Sequence, residues 1–276
     1  MSAPSPAFAA RHLKVMTAAA REAGRFMLRH YGRLKAKHIE TKSLNDFVTF
    51  VDKRSQDIII RSLKRSFPDY GVRAEENVSD MREMTWVIDP LDGTSNYIHQ
   101  FPLFCISIAL MRKNESLVGL VFDPLHGEFF TAAKGRGARL NGKPIAVSPI
   151  RSLRQSFVST GFPYRMHRHF EPYHRSLRKV FYRTGGIRRG GSAALDLCYT
   201  ACGRFDGFWE FGLSIWDIAA GSLIVEEAGG RVSDFNGRKR HFESGNVAAG
   251  APIVHRALVG ILKRIPEFRD ASRPRR

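Results

Sequence analysis

The sequence predicts a mixed α/β fold in two halves, an N-terminal α+β half (residues 1–150) and a C-terminal α/β half (residues 151–276). Two amphipathic helical patterns open the chain, and strand-like runs follow them between residues 104 and 130, which is the order of an α+β unit. Beyond residue 150 a strand-like run is followed by helical patterns, as in an α/β unit. With 43% hydrophobic residues, the chain is long enough for one large or two medium domains.

Helical spacing of apolar residues predicts two helices in the first 70 residues. The first runs from about Ala7 to Tyr31, and Gly32 follows it as a stop signal. The second runs through Ile59 and ends near Pro68, because proline disfavours the helical conformation of the residue before it.

Strand and turn signals organise the rest of the chain. Apolar runs from Phe104 to Phe130 are separated by polar turns and predict an antiparallel meander. Asn141-Gly142 is a hairpin signal. A basic helix is predicted over Tyr173–Tyr182, and Ser192 is predicted to cap a further helix that ends at Gly203.

The net charge of +18 is uneven along the chain. Lys and Arg outnumber Asp and Glu by ten to one over residues 151–190, by nine to two over 11–42 and by seven to two over 256–276. The Asp and Glu residues are therefore concentrated outside these three segments. The three basic segments suit anionic substrates, nucleic acid or acidic protein surfaces, and a merely solvated face is the alternative.

Cysteine and histidine spacing argues against several classes of protein. The chain contains no H-E-x-x-H and no C-x-x-C, so transition-metal hydrolysis has no support. Cys198 and Cys202 are spaced as neighbours on a buried helix face, which predicts structural thiols. No apolar run reaches the ~18 residues of a membrane span, and the opening residues lack a secretory h-region. We therefore expect a cytoplasmic protein without membrane contact.

The stretch from Trp86 to Phe104 carries the strongest functional signal. An apolar strand delivers Asp89 and Asp92 onto a short turn. Two carboxylates at the end of a buried strand repel each other unless a cation neutralises them, and a hard divalent ion is the usual solution. Gly93 permits close backbone approach, and the N–H groups around Thr94 suit a phosphate. The alternative is an Asx-type turn in which Asp92 caps a helix.

Each of the other acidic residues that are candidates for the site has two interpretations. Glu75 and Glu76 end a short apolar run and are typical of solvated surface, although they can lie beside Asp89 on a neighbouring strand end. Asp217 lies where a helix begins and is an N-cap, a ligand or both. Asp52 is either a helix cap or a neighbour of the site.

Two motifs together resemble the signatures of the inositol monophosphatase family of magnesium-dependent, lithium-sensitive phosphatases. W-V-I-D-P-L-D-G-T-S-N at residues 86–96 resembles the first signature, and W-D-I-A-A-G-S-L-I-V-E-E-A-G-G at residues 216–230 resembles the second. The resemblance covers nearly the whole chain. It implies a layered α-β-α-β-α sugar-phosphatase fold with the site between the two halves, and a homodimer.

The resemblance also implies a metal site that holds two to three Mg²⁺ ions. Glu75, Asp89 and the Leu91 carbonyl would hold one ion. Asp89, Asp92 and Asp217 would hold a second, and a third ion would share Glu75.

Further roles follow from the same resemblance. Glu75 and Thr94 would orient the attacking water, and the amides of Gly93 and Thr94 would receive the phosphate. The positions matched to substrate contacts are Asp92, Gly93, Thr94, Gly191, Ser192, Ala193, Glu210 and Asp217, and the supporting positions are Asp52 and Lys42.

Two functional hypotheses follow. The first is hydrolysis of inositol 1-phosphate or another phosphorylated polyol or sugar by direct attack of water, since no Ser or Cys has a positioned base. Relatives with this fold cleave fructose 1,6-bisphosphate, 3'-phosphoadenosine nucleotides or histidinol phosphate. The second is a scaffold or RNA-associated transcription factor with incidental phosphatase activity, because the bacterial members that the sequence resembles are associated with ribosomal RNA transcription complexes.

Overall fold

Helices and strands follow one another in blocks along the chain. The structure is a computed structural model that describes residues 3–43, 46–164 and 169–269. The helices are α1 (Pro6–His30), α2 (Phe50–Ser66), α3 (Thr94–Ile98), α4 (Phe170–Phe181), α5 (Ala193–Ala201), α6 (Ile215–Glu227), α7 (His241–Ser244), α8 (Pro252–Leu262) and α9 (Pro266–Arg269). The strands are β1 (Ile39–Ser43), β2 (Asp46–Thr49), β3 (Gly71–Ala74), β4 (Val78–Asp80), β5 (Met84–Asp92), β6 (Cys105–Arg112), β7 (Glu115–Asp123), β8 (Glu128–Ala133), β9 (Ala138–Leu140), β10 (Lys143–Ile145), β11 (Phe157–Thr160), β12 (Gly186–Arg188), β13 (Gly207–Glu210), β14 (Arg231–Ser233) and β15 (Val247–Gly250).

Both predicted N-terminal helices are confirmed, and they pack against each other. Helix α1 begins after Ser5, whose Oγ accepts a hydrogen bond from Phe8 N at 3.2 Å. Gly32, at φ 72°, follows the end of α1 and adopts the left-handed conformation that glycine tolerates best. The antiparallel hairpin β1–β2 before α2 has no counterpart in the sequence prediction. Its strands have only five and four residues, too few for a clear alternation.

The larger sheet has eight strands in the order β10-β9-β8-β7-β6-β5-β3-β4. The pairing of β3 with β5 is parallel, and the other neighbours pair antiparallel. The predicted meander is therefore confirmed as β6, β7 and β8. The hairpin signal is confirmed as well, because Asn141 (φ 49°) and Gly142 (φ 80°) form the two-residue turn between β9 and β10.

The smaller sheet has five strands in the order β12-β11-β13-β15-β14. Strand β11 begins at Phe157, as the change of pattern near residue 150 predicts. The basic helix α4 begins three residues before its predicted start, at Phe170. Ser192 is the N-cap of α5, and its Oγ accepts a hydrogen bond from Leu195 N at 3.4 Å.

The elements stack in five layers. Helices α1 and α2 cover one face of the larger sheet. Helices α5 and α6 lie between the two sheets, and α4 and α8 cover the outer face of the smaller sheet. This is the α-β-α-β-α arrangement that the family resemblance implies, so that prediction is confirmed.

Successive residues of the central strands enter different cores. On β5, Ile88 packs with α1 and α2 whereas Val87 packs with α5 and α6. On β13, Phe208 faces α5 and α6 whereas Trp209 faces α8. Because adjacent strand residues point to opposite faces, a sheet covered on both sides needs continuous apolar runs. This requirement explains why the central strands appear in the sequence as continuous apolar runs.

The two sheets share the core built around α5 and α6. The division into domains at residue 150 remains a prediction. No helix in the described ranges is both long and apolar enough to cross a bilayer. All three cysteines are free thiols, but Cys202 lies at the C-cap of α5 and is only half-buried, so it does not share a buried helix face with Cys198 as predicted.

Candidate active site

One pocket is lined by strand ends from both sheets, those of β3 and β5 in the larger sheet and of β13 in the smaller. Of the predicted site residues, its lining contains Glu75, Asp89, Leu91, Asp92, Gly93, Thr94, Gly191, Ala193, Glu210 and Asp217. The other three lie behind this lining and contact residues within it: Lys42 contacts Glu75, Asp52 contacts Thr94, and Ser192 contacts Asp92.

A β-bulge at the end of β5 brings Asp89 and Asp92 to the same pocket. Asp89 is paired with Ser107 and Asp92 with Cys105, so three steps along β5 meet two steps along β6. In a regular strand, residues three apart point to opposite faces, and an extra residue on one strand changes that direction. Pro90, which lacks an N–H donor, lies inside the irregular segment.

Asp92 holds the N-terminus of α5. Its Oδ2 accepts hydrogen bonds from Ser192 Oγ at 2.6 Å and from Ala194 N at 2.8 Å. The N-cap of α3 is Gly93, so the alternative interpretation of Asp92 as the cap of that helix is wrong. Ser192, expected to meet substrate hydroxyls, is buried and directs its hydroxyl to Asp92.

Glu75 lies beside Asp89 because β3 and β5 run parallel, and Glu75 N donates a hydrogen bond to Ile88 O at 3.2 Å. Lys42 Nζ lies 3.4 Å from Glu75 Oε1 and also pairs with Glu76. The side chain of Glu76 is only 5% exposed. Of the two interpretations of these glutamates, solvated surface is therefore wrong, and Glu75 lies beside Asp89 as the other interpretation predicts.

Asp217 is the third residue of α6 rather than its N-cap. Ser214 is the N-cap, and Asp217 Oδ2 accepts a hydrogen bond from Ser214 N at 2.7 Å. This is the acidic half of a capping box. The N-cap interpretation of Asp217 is wrong by three residues, although the side chain does support the helix start and does line the pocket.

The carboxylates destabilise one another electrostatically. Burial raises the pKa of Asp89 well above its usual range, and the charges of Glu75, Asp92 and Asp217 raise it further. Burial also raises the pKa of Asp92, against the hydrogen bonds from Ser192 and Ala194 that lower it. A buried cluster of this kind is stabilised by protons or by cations.

The donor set fits a hard divalent cation, since four carboxylates and a backbone carbonyl are the oxygen ligands that Mg²⁺ takes. In the described ranges, no group of three His, Cys, Asp or Glu side chains lies close enough together to enclose an ion. Asp89, Asp92 and Asp217 each turn one oxygen to a hydrogen-bond donor of the chain, which is a low-energy arrangement for mutually repelling acids.

Thr94 is tied to a buried carboxylate. Its Oγ1 lies 2.9 Å from Asp52 Oδ1 and 3.0 Å from the carbonyl oxygen of Leu91. Asp52 Oδ2 accepts hydrogen bonds from Thr49 N and Thr49 Oγ1 at 2.8 and 2.6 Å, so Asp52 belongs to the capping box of α2 and also supports the site. Burial raises the pKa of Asp52 to about 7, against these hydrogen bonds.

The turn between β5 and α3 requires glycine. Gly93 has φ 92°, and a Cβ atom there would lie 2.9 Å from Leu103 O and 3.4 Å from Gly191 O. Asn96 fastens the same turn, because its Nδ2 donates hydrogen bonds to Leu103 O at 2.7 Å and Gly190 O at 3.0 Å. The loop before α5 therefore lies directly against the turn that carries Gly93.

Nine of the residues that line the pocket were not predicted from the sequence, and three of them form one cluster. Arg189 lines the pocket together with Phe162 and Tyr164, whose rings it contacts. The pair Arg188-Arg189 before two glycines is visible in the sequence, but only the fold shows that Arg189 reaches the candidate pocket and that Arg188 lines the neighbouring pocket instead. Glu210, which was predicted, lies against Gly161, where a Cβ atom would be 1.9 Å from Glu210 Oε1.

Comparison with known proteins agrees with the two motifs. The profile of the inositol monophosphatase family matches residues 10–267. The chain belongs to the inositol monophosphatase family. Membership assigns it to a family of phosphatases.

Relatives within the family carry two kinds of name. The Nus factor SuhB of Escherichia coli (strain K12) is 42% identical over 262 residues, which cover 94% of this chain and 97% of SuhB. The crystal structure of the extragenic suppressor protein suhB from Bartonella henselae has a TM-score of 0.89 at 38% identity and covers 92% of this chain and 99% of its own. The inositol monophosphatase from Anabaena (Nostoc) sp. PCC 7120 has a TM-score of 0.83 at 37% identity, with 93% and 96% covered.

Proposed function

We propose that this chain hydrolyses a small phosphate monoester, such as inositol 1-phosphate or another polyol or sugar phosphate, in a Mg²⁺-dependent reaction. The observation that supports it best is the convergence of Glu75, Asp89, Asp92 and Asp217 on one pocket beside the Gly93 turn. Four acids in a largely buried position oppose folding, so a metal-dependent role explains their presence better than a structural one.

The ligands for the metal would come from the two motifs and from Glu75 at the end of β3. Glu75, Asp89 and the Leu91 carbonyl would hold one Mg²⁺, Asp89, Asp92 and Asp217 a second, and Glu75 would share a third. When bound, Mg²⁺ supplies positive charge and Lewis acidity next to a dianionic phosphate. Lithium sensitivity, expected in the millimolar range, is proposed on family grounds alone.

The chain's own groups position the reactants. The Thr94 hydroxyl is held by Asp52, so together with Glu75 it can orient a water molecule. The amides of Gly93 and Thr94 would receive the phosphate, and Gly191, Ala193 and Glu210 would meet hydroxyl groups of the alcohol. Ser192 acts through Asp92, which it holds against α5.

Phosphate release tests this proposal. Purified protein should release inorganic phosphate from inositol 1-phosphate, glucitol 6-phosphate or a related polyol ester when Mg²⁺ is present and not when EDTA replaces it. Fructose 1,6-bisphosphate, a 3'-phosphoadenosine nucleotide and histidinol phosphate complete the panel. Absence of turnover on every ester, in folded protein with Mg²⁺, would refute the proposal.

A second candidate function is binding of RNA or a transcription protein, and one feature favours it. Helix α4 exposes Phe170 and Phe181, which are 52% and 64% exposed, and Tyr182 beyond its end is 74% exposed. Exposed Arg178 lines a shallow pocket together with Phe181 and Tyr182, and exposed Arg183 follows Tyr182 in the sequence. Aromatic rings beside guanidinium groups are a usual platform for single-stranded nucleic acid, and several relatives are named Nus factor.

The homodimer that the resemblance implies is likewise a proposal. Phe101, 49% exposed, lies with Leu103, Phe157 and Phe205 in a largely apolar pocket on the other side of the loop before α5. Such a surface suits a protein interface. Sedimentation equilibrium measures the molecular mass in solution. The wild type should be a dimer, and Phe101→Asp should shift it toward the monomer.

A further inference from the structure

Arg189 places a fixed positive charge in the candidate pocket. Among the described residues that line the pocket, it is the one Lys or Arg. Its guanidinium carbon lies 5.6 Å from the centre of the Phe162 ring and 5.2 Å from that of Tyr164. Cation–π contacts fix the position of a guanidinium but leave its N–H donors in the plane of the group available.

Those donors have no partner within the described parts of the chain. Arg189 forms no ion pair and no hydrogen bond there. Two acids lie in its surroundings. The charge of Arg189 acts on the buried Asp196, and the charges of Arg189 and Glu210 both act on Tyr173. If Arg189 served only to neutralise either acid, a paired geometry within 4.0 Å would be expected. Among the described residues, ring faces hold the arginine instead, and its N–H donors remain available to a ligand.

The guanidinium lies close to the phosphate end of the pocket without being part of it. A Cβ atom on Gly191 would be 2.5 Å from Arg189 Nη1, and a Cβ atom on Gly93 would be 3.4 Å from Gly191 O. Gly191 therefore separates the turn that carries Gly93 from the arginine. A small ligand whose phosphate meets the Gly93 turn can extend past Gly191 to the guanidinium.

We propose that Arg189 binds a second anionic group of the substrate, a phosphate or a carboxylate, so that the pocket is adapted to small phosphate monoesters with two acidic groups. This inference rests on the proposed function for the first phosphate and names the substrate class. A guanidinium binds either anion through two parallel hydrogen bonds. Inositol 1-phosphate, with hydroxyls as its other groups, leaves these donors without a charged partner.

Three ligands with one carbon skeleton separate the possibilities: glucitol 6-phosphate, 6-phosphogluconate and glucitol 1,6-bisphosphate, which carry a hydroxymethyl, a carboxylate and a phosphate ester at the far end. Equilibrium binding is measured by calorimetry with Ca²⁺ in place of Mg²⁺, for the wild type, Arg189→Gln and Arg188→Gln. Arg188 is the matched control, because its guanidinium packs over Phe157 at 4.5 Å and it lines the neighbouring pocket but not the candidate pocket, whereas Arg189 lines both.

The wild type should bind at least one doubly anionic ligand about tenfold more tightly than glucitol 6-phosphate, as one charge-assisted interaction predicts. This preference should vanish in R189Q and persist in R188Q, and the ligand that loses most identifies the anion. Equal affinity of the wild type for all three ligands overturns the inference, and so does an unchanged preference in R189Q. An equal loss for all three ligands in R189Q also overturns it, since Arg189 would then serve the first phosphate or the assembly of the protein.

Turnover is scored separately. Phosphate release from glucitol 6-phosphate by the wild type in Mg²⁺ tests the proposed function itself, whereas the affinity ratios test the second anion site. A protein that turns over the monoester without preferring two charges retains the proposed function and loses this inference.

Discussion

At the scale of single residues, Asp92 links three parts of the site. It ends β5, it lines the pocket, and its Oδ2 holds the N-terminus of α5 through Ser192 Oγ and Ala194 N. Negative charge at a helix N-terminus is favourable, so one carboxylate can serve the fold with one oxygen and the chemistry with the other. A substitution of Asp92 can therefore be chosen so that it keeps the hydrogen bond to Ser192 and changes only the charge in the pocket.

Asp92→Asn removes one charge and keeps the shape. We expect turnover to fall at least ~10²-fold, because a group that stabilises developing charge is typically worth about 3 to 4 kcal/mol. The melting temperature should change little, since the amide oxygen can still accept from Ser192. Asp57→Asn, an exposed position on α2, is the control for loss of one carboxylate. Wild-type turnover by D92N at saturating Mg²⁺ would contradict the role given to Asp92.

At the scale of elements, α8 is attached to β14 by a buried histidine. His255 Nε2 lies 2.8 Å from Ser233 Oγ, and the residue is 8% exposed. Burial lowers the pKa of His255 to about 4, and the charge of Arg231 lowers it further. The unfolded chain takes up a proton near pH 6.5 whereas the folded chain does not, so this group costs nothing above pH 6.5 and destabilises the fold as pH falls toward 4.

The predicted size is about 2 kcal/mol of unfolding free energy lost between pH 7.5 and pH 5, at 1.36 kcal/mol per pKa unit. His255→Gln replaces the imidazole with an amide that does not titrate and can still bond Ser233. Urea unfolding of both proteins at the two pH values measures the difference. An equal loss in H255Q and wild type would show that His255 does not titrate as described.

Helix α4 is the element on which the second candidate function depends. Six Lys and Arg residues occur between positions 165 and 183, and two of them, Arg165 and Arg168, lie outside the described residues. Arg175 is paired with Glu267, and Lys179 is half-buried. Arg178 and Arg183 are exposed, so they are the pair whose charge a test should reverse.

Arg178→Glu with Arg183→Glu should weaken binding of single-stranded RNA and leave phosphatase turnover nearly unchanged. Wild-type affinity should fall with salt at a log-log slope of about 0.7 per phosphate contacted. Arg61→Glu with Arg65→Glu makes the same charge change on exposed positions of α2. A raised KM in place of weaker RNA binding would mean that α4 steers small phosphates, and no change in either would mean a solvated face.

At the scale of the whole molecule, a basic chain has an acidic central pocket. The chain carries +18 overall, yet five carboxylates line its central pocket where the two sheets meet, and four of them are the proposed metal ligands. The larger sheet contributes Asp89 and Asp92, and the helix between the sheets contributes Asp217. A cation bound there would join elements from different layers, so its effect should extend to global stability.

Mg²⁺ should therefore raise the melting temperature of metal-free protein. One ion at 100 times its dissociation constant contributes about 2.7 kcal/mol. Asp89→Asn should stabilise the metal-free protein, because it removes one of the repelling charges, and should reduce the shift that Mg²⁺ causes. Thermal unfolding with MgCl₂ and with NaCl of equal ionic strength measures both effects. No Mg²⁺-specific shift would leave the carboxylates as caps and hydrogen-bond acceptors only.

Local patterns in the sequence determined the helices α1 and α2, the meander, the Asn141-Gly142 hairpin and the two acidic motifs, because periodicity and turn chemistry act over a few neighbouring residues. The layer order followed from the family resemblance. Tertiary structure alone decided that Asp92 bonds to Ser192, one hundred residues away, that Glu76 is buried, and that Arg189 faces the pocket. Burial and side-chain direction depend on which distant segments pack together, and a bulge of one residue reverses a direction that strand alternation would assign.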